Sequence, residues 1–391
     1  MVKKLSLVIS YGGKGAQVRG KINGDLLNIC KCWYNVDFSD GCISQVPVEL
    51  LREVVNNNGK YLDGNFDIYD RKGILKNQKC GYCYGTSVNG GNVFPKIVNE
   101  NTVKSFERYK PKEVRVGKFC ESGHPYYYKT LIDFLGLCKE FGTKIIFTNK
   151  TLPFGIEGAK ETLEYSENKN PIIFDIAKKV NMFNGEDLAE EIKMADMSLL
   201  YSLGNDRLEK GLVSQGFTNE WRIKQALAYH NQGVNVSLTI MCDVTQSIED
   251  NEKKGYVIKS ALSSRNKGIN VRLLPLRPNT KRVAELTTGQ SLKDITFSFQ
   301  PVLSCCEESF NYPVVGGFEQ RPFFKHRTKR LARFFHPDFQ KLVGEGIGVC
   351  GTIGEKEYCD SCNLNYQRIV VPFRDIIPVK RKRKGRRGVK I

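Results

Sequence analysis

Glu113-Val114-Arg115-Val116-Gly117-Lys118-Phe119, the run 126–141 and Lys144-Ile145-Ile146-Phe147-Thr148 together decide the fold. The first and last pieces are short and rich in β-branched and aromatic residues, which is the composition of strands. Between them, Leu131, Phe134, Leu135 and Cys138 recur at three- and four-residue intervals and so share one face of a helix. A strand–helix–strand unit of this kind predicts two parallel strands joined by a right-handed crossover. The pattern continues with helices at 186–193, 219–231 and about 248–264, and strands at 197–203, 235–241 and 269–276. Gly233 closes the second of these helices. The expected class is α/β: parallel strands in a full or partial (β/α) barrel, or an open sheet, followed by a cysteine-rich C-terminal extension.

In either arrangement, ligands bind where the strands end. The residues there are Cys120, Glu121, Ser122 and His124, then Thr148 and Asn149, then Ser202 and Asn205, then Cys242 and Asp243. They are small and polar, as a ligand site requires. His124, beside Pro125, reads equally well as an ordinary loop histidine, and Cys138 and Cys242 as buried thiols.

Thirteen cysteines offer a second line of inference. Lys79-Cys80-Gly81-Tyr82-Cys83-Tyr84-Gly85 sets two thiols two residues apart, a spacing that suits zinc or an iron–sulfur cluster. A redox dithiol or a turn with two unconnected thiols fits the same spacing. Cys30, Cys32 and Cys42 lie upstream and could complete that site or form their own. Cys350, Cys359 and Cys362 make another metal-type cluster downstream, with Cys305 or Cys306 in reach as a fourth ligand.

A chain of 391 residues divides on this reading into a cysteine-containing segment 1–74, a core 75–280, a metal-binding extension 281–378 and a disordered basic tail 379–391. The N-terminal apolar run is interrupted and short for a secretory signal, and no later stretch approaches the ~20 apolar residues of a membrane span. A soluble protein of the reducing cytoplasm is expected, in which thiols serve as ligands or catalytic groups rather than disulfides. Of the net charge of +18, eight positive charges lie between Lys380 and Lys390. Such a run engages DNA or RNA, or else serves as a solubilising or localisation tail. The stretch 318–335 interleaves arginine and lysine with phenylalanine, which suits either a nucleic-acid surface or a solvated face over core aromatics. No phosphate-binding glycine loop of the Walker type and no serine–histidine–acid spacing occurs, and four histidines argue against a histidine-rich metal hydrolase.

Cys80-Gly81-Tyr82-Cys83-Tyr84 resembles the second half of the CxxxCxxC loop of the radical S-adenosylmethionine superfamily. Residues 114–125 resemble its next strand and Glu/Gly-containing turn, and 218–224 the start of a later Arg-Ile helix. Within the superfamily, the likeness is to spore photoproduct lyase-like and related phage-encoded proteins, and it covers roughly residues 75–280. The resemblance implies a [4Fe-4S] cluster on Cys80 and Cys83, S-adenosylmethionine, and an electron donor as partner. It also implies cleavage to a 5'-deoxyadenosyl radical that abstracts hydrogen from a substrate, with nucleic acid the candidate. Glu121, Ser122 and Gly123 would contact the methionine amino group, and Thr148, Asn149, Ser202 and Asn205 the ribose or carboxylate. Cys120 and Cys242 would be candidates for a hydrogen-donating thiol. The loop's first cysteine would stand at position 76, which is Lys76. The third thiolate is expected from Cys30, Cys32 or Cys42; the alternative is a site that holds no catalytic cluster. The C-terminal thiols would hold a second cluster or zinc. The rival function is a non-catalytic, zinc-binding, nucleic-acid-binding protein.

Overall fold

Strands and helices alternate through the middle of the chain. The computed structural model describes residues 95–117, 120–244 and 246–275, with shorter pieces at 6–7, 10–11, 19–22, 25–28, 34–39, 41–46, 51, 93, 336–345, 347–349 and 377–378. The strands are β1 (Ser10–Tyr11), β2 (Arg19–Ile22), β3 (Asp25–Asn28), β4 (Tyr34–Val36), β5 (Glu113–Val116), β6 (Lys144–Asn149), β7 (Met197–Leu203), β8 (Val236–Cys242), β9 (Asn270–Pro275), β10 (Gly348–Val349) and β11 (Ile377–Pro378). From β4 to β10 each strand pairs in parallel with its successor, and β1 adds an antiparallel strand outside β4. The order never reverses, as in a singly wound barrel and unlike a doubly wound sheet. Among the described residues β1 and β10 do not pair, so the barrel is partial. β2, β3 and β11 form a separate antiparallel sheet.

The helices are α1 (Glu100–Tyr109), α2 (Tyr128–Phe141), α3 (Gly155–Tyr165), α4 (Ile172–Lys179), α5 (Gly185–Met194), α6 (Lys210–Ser214), α7 (Asn219–Asn231), α8 (Ile248–Lys253), α9 (Lys259–Ser263) and α10 (Pro337–Gly344). Their starts follow from local chemistry. Asn99 and Thr102 form a capping box on α1, while Asn184, Thr218 and Ser247 accept backbone N–H groups at the starts of α5, α7 and α8.

Three sequence expectations change. The strand expected over 113–119 ends at Val116, because Gly117 takes φ +78° and lies so near β6 that a Cβ there would stand 2.0 Å from the Thr148 carbonyl oxygen. The helix expected over 248–264 is broken at Gly255, which has φ +97°. The β6–β7 crossover holds α3 and α4 besides α5. The sheet also takes in strands from either side of the 75–280 span, at Tyr34–Val36 and Gly348–Val349. Leu51, described apart from its neighbours, is helical.

The two faces of the sheet differ in chemistry. Right-handed crossovers put all the helices on one side. Val116, Phe147, Leu199, Leu238, Ile240 and Leu273 point there, within one continuous core. On that side Trp221 of α7 is wholly buried, meets Phe217 edge to face at 5.0 Å between ring centres and donates to the Gly158 carbonyl at 3.1 Å. Alternation sends Arg115, Thr148, Ser202, Thr239 and Arg272 to the opposite, inner face.

Glu113 opens β5 opposite Lys144. Burial lifts its carboxyl to about 7, against the pull of Lys144 and with a push from Asp196. A carboxyl raised in the folded state costs stability as pH climbs from 4.5 through 7, since the unfolded chain ionises first. Glu113→Gln is therefore expected to stabilise the protein by about 1–2 kcal/mol at pH 8, after allowance for solvent at its open side, and not at pH 4. Urea unfolding at the two pH values checks this; equal effects at both would contradict it.

Candidate functional site

The C-terminal ends of β4 to β7 converge on a polar region. Past β5 the chain turns at Gly117 and reaches Cys120, Glu121, Ser122, Gly123 and His124. Gly123 packs so tightly that a Cβ would meet the Leu152 Cβ and N at 2.8 Å, which fixes the distance between this loop and the one after β6.

His124 is wholly buried, and its role here is structural. Its Nδ1 accepts the Tyr126 N–H at 3.1 Å, which leaves the proton on Nε2, 3.2 Å from the Gln215 side-chain oxygen. Gln215 in turn donates to the Val46 carbonyl at 3.3 Å. The loops after β4, β5 and α6 are thereby tied together. Burial drives the imidazole down to about 3, so it stays neutral.

Cys120 is buried beside Ser122, with Sγ and Oγ 2.9 Å apart, and also bonds Ser39. Burial and then Asp37 push its thiol up to about 12, so the sulfur keeps its proton. Cys42 differs. It lies six residues beyond β4, partly open, with Sγ 2.9 Å from the Ser44 hydroxyl. Cys242 points to the helix side of β8, wholly buried, its thiol raised by burial and by Asp243. The structure does not bring it to the inner face with Thr239. Cys138 lies in the core side of α2. Cys30, Cys32, Cys80, Cys83, Cys350, Cys359 and Cys362 lie outside the described residues, as does the tail 379–391. Among the described residues no three metal-binding side chains gather, and no helix is long and apolar enough to cross a membrane.

A charged cluster occupies the mouth of β5, β6 and β7. Glu121 accepts the Lys150 backbone N–H at 3.0 Å. The Lys150 ammonium pairs with Glu209, whose other oxygen lies 2.6 Å from Nη1 of Arg222. Glu209 and Arg222 are both wholly buried. Nη1 of Arg222 also reaches the Ser202 carbonyl at 3.2 Å and the Asn219 side-chain oxygen at 3.0 Å. Asp206 completes the group by accepting the Asn219 N–H at 3.1 Å. Burial raises the Glu121 carboxyl, Lys150 and Arg222 oppose the rise, and Glu209 adds to it. Burial also raises Asp206, against Arg222. Three carboxyls face two cations, so the cluster can accept one more positive group.

The other expected contacts divide into two kinds. Asn149 accepts the Leu152 N–H at 3.1 Å, while its buried Nδ2, like the Thr148 and Thr151 hydroxyls, has no hydrogen-bond partner among the described residues. Asn205 spends its side chain within the fold, accepting from Arg207 at 3.0 Å and donating to the Lys254 carbonyl at 2.8 Å. Sequence reasoning passed over Lys150 and Glu209 and saw Arg222 only as part of a helix start. The legible signal was position: Lys150 directly follows β6, and Glu209 and Arg222 lie within the crossover from β7 to β8.

No family model and no curated protein matches the chain. Among solved structures, it is similar to a mutant of spore photoproduct lyase, at 9% identity over 55% of this chain and 58% of that one, with a TM-score of 0.35. It is similar to SuiB of Streptococcus suis at 13% identity over 94% of this chain and 77% of that one, TM-score 0.35. For SuiB bound to S-adenosylmethionine the figures are 13%, 74%, 51% and 0.32. The chain thus spans 58% of the length of the lyase it matches. At these TM-scores the likenesses carry no argument about chemistry, and the reading of the fold rests on strand order and register. Spore photoproduct lyase and SuiB are among the solved structures to which this chain is similar, and both are radical S-adenosylmethionine enzymes.

Proposed function

We propose that the chain is an iron–sulfur, S-adenosylmethionine-dependent radical enzyme acting on nucleic acid. What carries the reading is the edge formed by β4 to β7, where a partly open Cys42 and an acid-rich buried cluster stand at the ends of successive parallel strands. The donor chemistry fits. Among the described cysteines Cys42 is the partly open one, so its sulfur can meet a metal, whereas Cys120, Cys138 and Cys242 are buried. Cys42, Cys80 and Cys83 would hold the cluster. The excess carboxylate at Glu121 would take the cofactor's ammonium, and the buried Nδ2 of Asn149 and the Thr148 hydroxyl are donors in need of an acceptor. When bound, the cluster and S-adenosylmethionine supply one-electron chemistry that ends in hydrogen abstraction. Cys120 keeps its proton at Sγ between Ser39 and Ser122, as a hydrogen-donating thiol must. Nucleic acid as substrate draws on the basic body and tail, and an electron donor is the implied partner.

Anaerobic reconstitution with iron and sulfide is expected to load about four irons per chain at this site and to give a visible charge-transfer band. Cys42→Ala, Cys80→Ala and Cys83→Ala should each lose that cluster, while Cys242→Ala keeps it. Iron beyond four would assign a second cluster to Cys350, Cys359 and Cys362, and zinc there a structural site. A chain that takes up only zinc and binds no S-adenosylmethionine in calorimetry would sink the proposal in favour of a zinc-binding, nucleic-acid-binding protein.

A further inference from the structure

The turn that carries Cys42 has more support than a surface thiol needs. Cys42 precedes a short 3-10 helix, Ile43–Gln45, closed by the Val46 N–H on the Ile43 carbonyl at 3.0 Å. Ile43 and Val46 are sunk in the core. Gln215, just past α6, donates to the Val46 carbonyl, and His124 holds Gln215. The turn is therefore pinned by apolar anchors and by a hydrogen-bond chain that runs back to the loop after β5. Cys42 itself stays partly open.

Ser44 is buried inside this turn, and its hydroxyl lies 2.9 Å from the Cys42 sulfur. Either atom of the pair can donate while the thiol keeps its proton. A metal-bound cysteine is a thiolate with no proton to give, so the hydroxyl must then be the donor. The same Cys-x-Ser spacing recurs at Cys120 and Ser122, again with 2.9 Å between sulfur and oxygen, but that sulfur is buried. Of the two pairs, the one at Cys42 is open to a metal. A hydrogen bond donated to a ligating sulfur draws off part of its negative charge, which favours the reduced state of the group it binds. Burial of the Ser44 side chain keeps water from competing for the same hydroxyl.

We propose that Ser44 is a positioning residue for the Cys42 thiolate: it donates to that sulfur when the sulfur is on a metal, fixes its direction, and raises the reduction potential of an iron–sulfur group held there. The effect on potential rests on the function proposed above; the hydrogen bond to a metal-bound thiolate does not. A raised potential eases electron entry, so the electron donor can be a milder reductant than a cluster without this bond requires.

Anaerobic redox titration of the reconstituted full chain, read by the spin signal of the reduced cluster, tests this. At a fixed potential Ser44→Ala should lower the ratio of reduced to oxidised cluster by about fivefold, with iron content unchanged. Ser44→Thr keeps the hydroxyl and should restore the wild-type ratio, which a purely structural role would not do. Cobalt(II) alone, added to the cluster-free chain, gives a second readout. Its sulfur-to-metal charge-transfer band should move to longer wavelength in Ser44→Ala, because the thiolate loses a donor. If Ser44→Ala does not fold, the wild-type cluster moved into D2O should show a shifted iron–thiolate vibration. A loaded cluster whose potential ignores Ser44→Ala, or no vibrational shift in D2O, would overturn the proposal and leave the radical-enzyme reading standing. A chain that takes up no cluster, but whose cobalt band shifts in Ser44→Ala, would uphold the hydrogen bond and sink the radical-enzyme reading alone. No cluster and no cobalt shift would sink both.

Discussion

Glu209→Ala is expected to destabilise the protein by about 3–5 kcal/mol, because it leaves the wholly buried Arg222 guanidinium without its carboxylate. Arg222 would keep the Ser202 carbonyl and the Asn219 side-chain oxygen as dipolar partners, and Asp206 and Glu121, whose carboxyls burial raises, as weaker countercharges than the Glu209 oxygen at 2.6 Å. Lys150 also loses that ion pair; its side chain is 12% exposed and can hydrate, so it adds little. Against a total stability of ~5–15 kcal/mol, the change is a large fraction and should show directly as a lower urea midpoint. A second variant separates charge from packing. Replacing both members, with Glu209→Leu and Arg222→Met, removes the uncompensated charge and should recover most of the loss, since apolar replacement of a buried pair is often close to neutral. If the single variant costs under about 1 kcal/mol, or the double variant no less than the single, the pair is not buried as described.

The second large effect depends on pH. His124 has a folded-state value of about 3 against 6.5 when unperturbed. Below pH 6.5 the unfolded chain takes up a proton that the folded protein refuses, so acid favours unfolding, and the loss grows until pH reaches about 3. At 1.36 kcal/mol for each pH unit, this one side chain can withdraw up to about 4–5 kcal/mol by pH 3. His124→Gln should lower stability at pH 7 by about 1–3 kcal/mol, through lost bonds to Tyr126 and Gln215, yet flatten the fall between pH 6.5 and 3. Unfolding curves for both proteins across that range check it. Parallel pH profiles would show that His124 titrates normally in the folded state.

The fold was legible where local pattern and tertiary role agree. Helix 219–231 and strand 197–203 match the structure to the residue, because Thr218 and Gly233 punctuate the first and an unbroken buried run defines the second. The pattern misled where one backbone position overrules composition: Gly117 ends β5 early, and Gly255 divides what reads as a single helix. Tyr34–Val36 went unseen as a strand because three residues carry too little periodicity to register, and its parallel partner lies far along the chain. At the site, the rule that ligands sit past strand ends located Cys120, Glu121 and Ser122 correctly in the fold. It could not reveal that Asn205 is used up in a turn, or that Glu209 and Arg222 meet, because those facts depend on which loops touch.

The spacing of the parallel strands also bears on how the molecule assembles. Between β5 and β9 consecutive strands are separated by 27 to 47 residues, but 76 residues separate β4 from β5 and 72 separate β9 from β10. Closing the longer loops costs only about 1 kcal/mol more than the shorter, so stability is barely touched. The sequence of events is affected instead. The middle strands can pair one after another as the chain emerges from the ribosome, while β4 docks from a distance. Since Cys42 hangs from the end of β4, the redox half of the proposed site depends on one of the two long closures, those that bring β4 and β10 onto the middle strands.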